Sequence, residues 1–98
     1  MSMSTQNPAI LLVDDDPAIL SLMETLVSSL GFIAQSARDG REAMDFLSAE
    51  KFEIVITDIK MPRIDGLELL AHIQQFYPQT GVIVVTGYAD TVTTMTPV

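Results

Sequence analysis

The chain has 98 residues, with thirteen acidic and five basic side chains that give a net charge of −8, and it contains no cysteine. Its length and its hydrophobic content of 48% suffice for one domain with one core, and its negative charge argues against nucleic acid or an anionic membrane as a direct partner. The lack of cysteine excludes disulfides and fits a cytoplasmic location, and no apolar run approaches the ~20 residues of a membrane span.

The first predicted elements are a strand and a helix. Ala9–Val13 is an apolar strand, and Asp16 followed by Pro17 is typical of the N-cap and first residue of a helix. Gly31 is expected to end this helix in a left-handed conformation. Two adjacent apolar stripes run along the helix at helical spacing, one of Ile19, Leu22, Leu26 and Leu30 and the other of Leu20, Met23 and Val27.

The middle of the chain repeats this alternation of strand and helix. A second strand is predicted at residues 32–36 and a second helix at about 41–50, after a turn at Asp39 and Gly40. The inward side chains of that helix are predicted to be Ala43, Phe46 and Leu47. A third strand, rich in β-branched residues, is predicted at residues 53–57.

A third helix and a fourth strand complete the predicted elements. The helix opens at Asp65 and Gly66 and ends before Pro78. Its apolar stripe is predicted to contain Leu67, Leu70, Ile73 and Phe76. The fourth strand covers residues 82–85 and leads to Thr86, whereas residues 90–98 are rich in threonine and valine and form a poor full helix.

Short strands that alternate with helices of ten or more residues predict right-handed crossovers between parallel strands. The expected fold class is therefore α/β, a doubly wound parallel sheet with helices on both faces. In such a sheet the carboxyl ends of the first, third and fourth strands point to the same rim. We therefore expect Asp14, Asp15, Asp58 and Thr86 to lie close together.

Several carboxylates at one rim need a counter-charge, because burial and mutual repulsion otherwise raise their pKa values. Mg²⁺ prefers such oxygen ligands, and an aspartate can accept a phosphoryl group while a threonine hydroxyl donates to a phosphoryl oxygen. A plainer interpretation, favoured for Asp16, makes this residue a helix cap. The same interpretation would make Asp14 and Asp15 polar strand ends and Thr86 an ordinary strand residue.

Four motifs resemble the receiver domain of two-component response regulators: LLVDDDP at residues 11–17, VITDIKMP at 55–62, DG at 65–66 and VVTGY at 84–88. The similarity extends over about residues 9–90, and residues 1–98 are predicted to form a single, truncated receiver domain. It implies a flavodoxin-like sheet, here with strand order 2-1-3-4 and without the usual last strand and helix.

The resemblance also implies residue roles. Asp58 would be the phosphoacceptor for a sensor histidine kinase, and any enzymatic activity would be limited to its own phosphorylation and dephosphorylation. Mg²⁺ would be bound by Asp58, by Asp15 directly, by Asp14 through water and by the main-chain carbonyl of Lys60. Thr86 would be the switch hydroxyl that moves toward the phosphoryl group.

The sequence departs from the receiver pattern because the lysine that ends the fifth strand of that pattern, and the proline after it, have no counterpart. One alternative is therefore a truncated interaction module that keeps the fold without being phosphorylated. A second, remote alternative is a phosphatase similar to haloacid dehalogenases, since Asp14 and Asp16 form an Asp-x-Asp motif. Asp14 rather than Asp58 would then be the essential residue.

The missing last elements predict two exposed surfaces. The fourth strand is expected to form an exposed parallel edge, and the apolar stripes of the first helix are expected to be partly uncovered. Self-association through the fourth strand or the first helix is therefore predicted.

Overall fold

A computed structural model describes residues 8–61 and 63–85, together with the backbone of residues 92–95. The elements in chain order are β1 (Ala9–Val13), α1 (Pro17–Ser29), β2 (Ile33–Ala37), α2 (Gly40–Ala49), β3 (Ile54–Asp58), α3 (Gly66–Phe76), β4 (Gly81–Val85) and β5 (Val92–Met95). They form one sheet with the order β2-β1-β3-β4-β5, in which the first four strands are parallel. The predicted doubly wound sheet and the order 2-1-3-4 are confirmed.

The two central strands β1 and β3 are apolar because both of their faces are covered. Leu11, Leu12 and Val55 have no exposed surface. The register pairs Val13 of β1 with Thr57 of β3, so the residues that follow this pair lie at the same level, at the carboxyl ends of the two strands. These next residues are both aspartates, and the register therefore positions the site.

The helices divide the core into two layers. On one face of the sheet, α2 and α3 bury a large cluster that includes Leu47, Leu69 and Ile73. On the other face, α1 buries a smaller cluster of Ile10, Leu12, Leu20 and Val27. The buried cluster under α1 is thus much smaller than the one under α2 and α3.

Each helix begins at an aspartate whose side chain accepts a hydrogen bond from a backbone N–H group. Asp16 caps α1, Asp39 caps α2 and Asp65 caps α3, where Glu68 completes a capping box. Gly31, with a φ of 93°, adopts the predicted left-handed conformation after α1. The sequence predicted the starts at Asp16 and Asp65, whereas Asp39 was assigned to a turn and α2 begins about one residue earlier than predicted.

The predicted inward faces need correction on two helices. In α3, Leu67 and Phe76 are 52% and 57% exposed, because Leu69, Leu70 and Ile73 define the buried face. In α2, Ala43 and Leu47 are buried as predicted, whereas Phe46 is only partly buried.

The predicted exposed edge of the fourth strand is also wrong. The backbone of β5 pairs antiparallel with β4, from Val82 opposite Met95 to Val85 opposite Val92. Threonine and valine favour the extended conformation that this pairing requires. The helices found among the described residues are too short or too polar to span a membrane.

Candidate metal centre

Three carboxylates meet where β1 and β3 end. Asp14, Asp15 and Asp58 each offer one oxygen atom, and these atoms all lie within 4.8 Å of one another. Asp14 is buried, Asp58 is half-buried and Asp15 is exposed. The structure thus brings together the three acidic residues that the sequence predicted as a common site.

The position of Asp14 is fixed by hydrogen bonds at both its backbone and its side chain. Its N–H group donates to the carbonyl of Ala37 in β2 over 3.1 Å. Its Oδ1 atom accepts from the N–H group of Asp16 over 2.9 Å. The carboxylate is therefore held at the strand end, with 9% of the residue exposed.

Asp58 ends a strand whose backbone is held from both sides. The N–H group of Ile59 donates to the carbonyl of Val85 over 3.0 Å, and the carbonyl of Ile59 accepts from Gly66 over 3.0 Å. A Cβ atom on Gly66 would overlap the carbonyl of Asp58 and lie 2.8 Å from the Cα atom of Ile59. The absence of a side chain at Gly66 therefore allows α3 to begin directly against the end of β3.

The acidic cluster is electrostatically unfavourable for Asp14. Burial is the largest cause that raises the pKa of its carboxyl group above the ordinary value, and the negative charges of Asp58, Asp15 and Asp16 raise it further. The hydrogen bond from the Asp16 N–H group opposes this shift. A bound cation would relieve both the burial cost and the repulsion.

The donor set fits Mg²⁺, which prefers carboxylate, carbonyl and water oxygens and does not require an all-protein cage. A shallow depression next to the three acids is lined by Asp15, Ile59, Lys60, Met61 and Asp65. Lys60 thus lies on the same depression as Asp15, where its main-chain carbonyl was predicted to bind the metal. The open side leaves room for water ligands and for an incoming group.

A family model described as the response regulator receiver domain matches residues 10–97. The chain belongs to the response regulator receiver family. The cluster of Asp14, Asp15 and Asp58 therefore occurs in a receiver domain of two-component signalling, on strands arranged in the order that this family resemblance implied.

Curated relatives of this receiver domain are much longer than the chain. The transcriptional regulatory protein GlrR of Escherichia coli is 38% identical over 88 residues, which are 90% of this chain and 20% of GlrR. The response regulator protein PilR of Pseudomonas aeruginosa is 39% identical over 80 residues, 82% of this chain and 18% of PilR. The chain spans about a fifth of the length of these relatives.

Solved receiver structures agree with the fold. The signal receiver domain of an HD domain-containing protein from Pseudomonas fluorescens has a TM-score of 0.82 and 39% identity, covering 87% of this chain and 68% of that one. The response regulator TrrA of Thermotoga maritima, solved with Mg²⁺-BeF, has a TM-score of 0.80 and 33% identity, covering 84% and 71%. TrrA was also solved in complex with the histidine kinase ThkA, at a TM-score of 0.79.

The receiver site contains residues beyond those that the sequence singled out. Asp65 was predicted only as the start of a helix, yet it also lines the depression beside Asp15. Asp16 is a helix cap, as expected, because its Oδ1 atom accepts from the N–H group of Ala18 over 2.9 Å. Thr86, the predicted switch hydroxyl, lies outside the described residues.

Proposed function

We propose that Asp58 of this receiver domain accepts a phosphoryl group from a sensor histidine kinase in a Mg²⁺-dependent reaction in the cytoplasm. The observation that carries the proposal is the convergence of Asp14, Asp15 and Asp58 within 4.8 Å at the ends of β1 and β3. Asp14 is the more buried carboxylate, whereas Asp58 is half-buried at the last position of β3. This difference favours Asp58 as the acceptor.

The proposed reaction transfers one phosphoryl group between two side chains. A carboxylate oxygen of Asp58 forms a bond to phosphorus while the bond from phosphorus to the kinase histidine nitrogen breaks. Asp14, Asp15, Asp58 and the main-chain carbonyl of Lys60 would hold the Mg²⁺. The metal, when bound, would neutralise negative charge on the phosphoryl oxygens, and the Thr86 hydroxyl would donate to one of them.

Two complexes of a similar protein support this assignment. TrrA, which is 33% identical to the matched part of this chain, was solved with Mg²⁺-BeF and with a histidine kinase. We extend both ligand classes to this chain because its three clustered acids supply the oxygen ligands that Mg²⁺ prefers.

Phosphorylation is tested by intact-mass measurement after incubation with an acyl-phosphate donor and MgCl₂. We expect one added phosphoryl group in the unmodified chain, none in Asp58→Asn and none when a chelator replaces the metal. Asp45→Asn is the matched control, because Asp45 is an exposed carboxylate on α2 with a side chain 75% accessible. This variant should be phosphorylated like the unmodified chain.

The opposite results identify the alternatives. A folded chain that gains no phosphoryl group under these conditions would contradict the proposal and support an interaction module. Turnover of a generic phosphomonoester that depends on Asp14 but not on Asp58 would indicate the phosphatase.

A further inference from the structure

Arg63, in the loop between β3 and α3, has a backbone conformation that residues with a side chain rarely adopt. Its φ of 67° makes it the one non-glycine residue with a positive φ in the part of the chain that the structure describes. The left-handed region brings the Cβ atom too close to the following carbonyl oxygen. Because Arg63 is exposed, the cause of this conformation lies in the course of the backbone and not in burial of the arginine side chain.

The loop that contains Arg63 is closed where it leaves β3. The carbonyl of Ile59 accepts a hydrogen bond from the N–H group of Gly66 over 3.0 Å, and the N–H group of Ile59 donates to the carbonyl of Val85 over 3.0 Å. Residues 60–65 therefore leave the end of β3 and return to it within one short loop. Lys60, whose main-chain carbonyl is a proposed Mg²⁺ ligand, is the first residue of this loop.

Two side chains anchor the loop in the core, one on each side of Arg63. Met61 is 8% exposed and belongs to the cluster under α2 and α3, and Ile64 packs against the same cluster. A Cβ atom on Gly40 would lie 2.7 Å from the Cγ2 atom of Ile64 and 2.8 Å from its carbonyl oxygen, so Ile64 lies directly against the first residue of α2. Rare backbone conformations persist where the surrounding structure over-determines them, and these two anchors do so for Arg63.

We propose that Arg63 is a positioning residue of the metal centre. Its left-handed backbone turns the loop between the two anchors and thereby keeps Lys60 beside Asp15, on the depression that both residues line. The inference rests on the proposed function, in which the main-chain carbonyl of Lys60 is a ligand of Mg²⁺. A residue that disfavours the left-handed region would shift the loop toward other conformations. The apparent Mg²⁺ affinity then falls with the fraction of chains whose loop is competent to bind.

The Mg²⁺ affinity of variants at position 63, measured by isothermal titration calorimetry with MgCl₂, tests this role. Arg63→Gly, Arg63→Asn and Arg63→Val all remove the same charge. Glycine and asparagine tolerate the left-handed region, whereas β-branched valine does not. We therefore expect Arg63→Val to bind Mg²⁺ about three- to tenfold more weakly than the other two variants. Urea denaturation in a chelator measures the stability of each variant separately from its metal affinity.

A second variant displaces the Ile64 anchor and leaves Arg63 in place. Among the described glycines only Gly31 has a positive φ, so alanine at Gly40 is opposed by the contact with Ile64 and not by its own backbone conformation. Gly40→Ala should therefore weaken Mg²⁺ binding. Gly81→Ala is the matched control, because a Cβ atom there would meet its nearest atoms at 3.7 Å. This control should bind Mg²⁺ like the unmodified chain.

Three results would overturn the proposal. Equal Mg²⁺ affinities of the three Arg63 variants would leave only the arginine charge to act, and unchanged affinity in Gly40→Ala would show that the anchor does not matter. A loss of stability in Arg63→Val without a loss of affinity would make the residue purely structural. Arg63→Ala replaces Arg63→Val if circular dichroism shows that the valine variant is unfolded.

Failure of the underlying metal site gives a different result. The unmodified chain would then bind no Mg²⁺, or its binding would survive Asp15→Asn, which removes a proposed ligand. Either outcome would overturn the proposed function together with the role of Arg63, whereas the three results above overturn the role of Arg63 alone.

Discussion

The carboxyl group of Asp14 is held where its ionisation is unfavourable. Burial, followed by the charges of Asp58 and Asp15, raises its pKa, so the folded chain binds this proton more tightly than the unfolded chain does. An unfolded aspartate titrates at about 3.9. The free energy of unfolding therefore falls as the pH rises from the pKa of Asp14 in the unfolded chain to its higher pKa in the folded chain. Above the folded-state pKa the loss of stability is complete and no longer changes with pH.

This linkage predicts that Asp14→Asn stabilises the metal-free protein at neutral pH. The amide oxygen can still accept from the Asp16 N–H group but carries no charge to bury. Each kcal/mol that is relieved should raise the melting temperature by about 4–8 °C in a domain of this size. Thermal unfolding in a chelator, followed by circular dichroism at several pH values, measures the gain.

The gain should shrink toward zero at a pH well below about 3.9, where aspartate is protonated in both states. Asp45→Asn is the control, because that exposed carboxyl lies outside the acidic cluster. Our account of the site is wrong if Asp14→Asn lowers the melting temperature at neutral pH in the chelator.

Gly66 is a second residue whose role is steric and local. A methyl group there would overlap the Asp58 carbonyl and approach the Ile59 Cα atom to 2.8 Å, and both contacts are with backbone that cannot rotate away. We expect Gly66→Ala to lower the free energy of unfolding by about 1–3 kcal/mol, as measured by urea denaturation. We also expect it to slow the phosphorylation of Asp58.

Gly81 provides the matched control for this substitution. A Cβ atom at Gly81 would meet its nearest atoms at 3.7 Å, an ordinary van der Waals distance. Gly81→Ala should therefore be neutral or stabilising by about 0.4–1 kcal/mol, since alanine reduces the freedom of the unfolded chain. Equal losses in the two variants would show that the close approach of Gly66 to β3 is unimportant.

The role of Asp16 at the start of α1 distinguishes the receiver from the phosphatase alternative, because Asp16 belongs to the Asp-x-Asp motif on which that alternative rests. The Asp16 side chain caps the helix through the Ala18 N–H group, so a serine should replace it with little loss. Asp16→Ser should keep both stability and phosphorylation, whereas Asp16→Ala should lose about 1 kcal/mol of stability and keep phosphorylation. Urea denaturation and intact-mass measurement report the two properties.

A loss of phosphorylation in Asp16→Ser, with the fold intact, would contradict a purely capping role. Glu68→Ala is a useful comparison, since Glu68 completes the capping box of α3. Its removal should lower stability without affecting the metal site.

Elements whose signals are local were predicted well. Asp16 and Asp65 start their helices where the sequence indicated, α2 begins about one residue earlier than predicted, and the predicted parallel strands shift by no more than about one residue. The meeting of Asp14 with Asp58 was also predictable, because parallel strands end at a common rim.

Tertiary packing determines the features that were not predicted from the sequence, namely the buried helix faces and the pairing of β5. Periodicity shows that a helix has an apolar face, but the partner elements select which of two stripes is buried, as in α1 and α3. β5 pairs antiparallel with β4, and no pattern in the sequence specified this partner or this direction. Asp65 was not predicted to line the depression beside Asp15, because its position as the N-cap of α3 already accounted for an aspartate there.

At the scale of the whole molecule, the chain spans only a small part of the length of its curated relatives. It matches about a fifth of GlrR and of PilR, so the activities of those relatives extend to this chain only as proposals. What the chain itself contains is a receiver fold with an acidic site at one end of the sheet and an uncharged apolar helix flank on one face.

The net charge of −8 predicts that salt acts on this molecule in two separable ways. NaCl should raise the melting temperature modestly, because ions screen repulsion beyond a Debye length of about 8 Å at physiological strength. MgCl₂ at equal ionic strength should raise it further, because a bound cation stabilises only the folded state, by about 2.7 kcal/mol at 100 times Kd. Asp15→Asn should abolish the extra magnesium effect and leave the NaCl effect in place. Equal responses to the two salts in the unmodified chain would show that the three acids act only as surface charge and hold no metal.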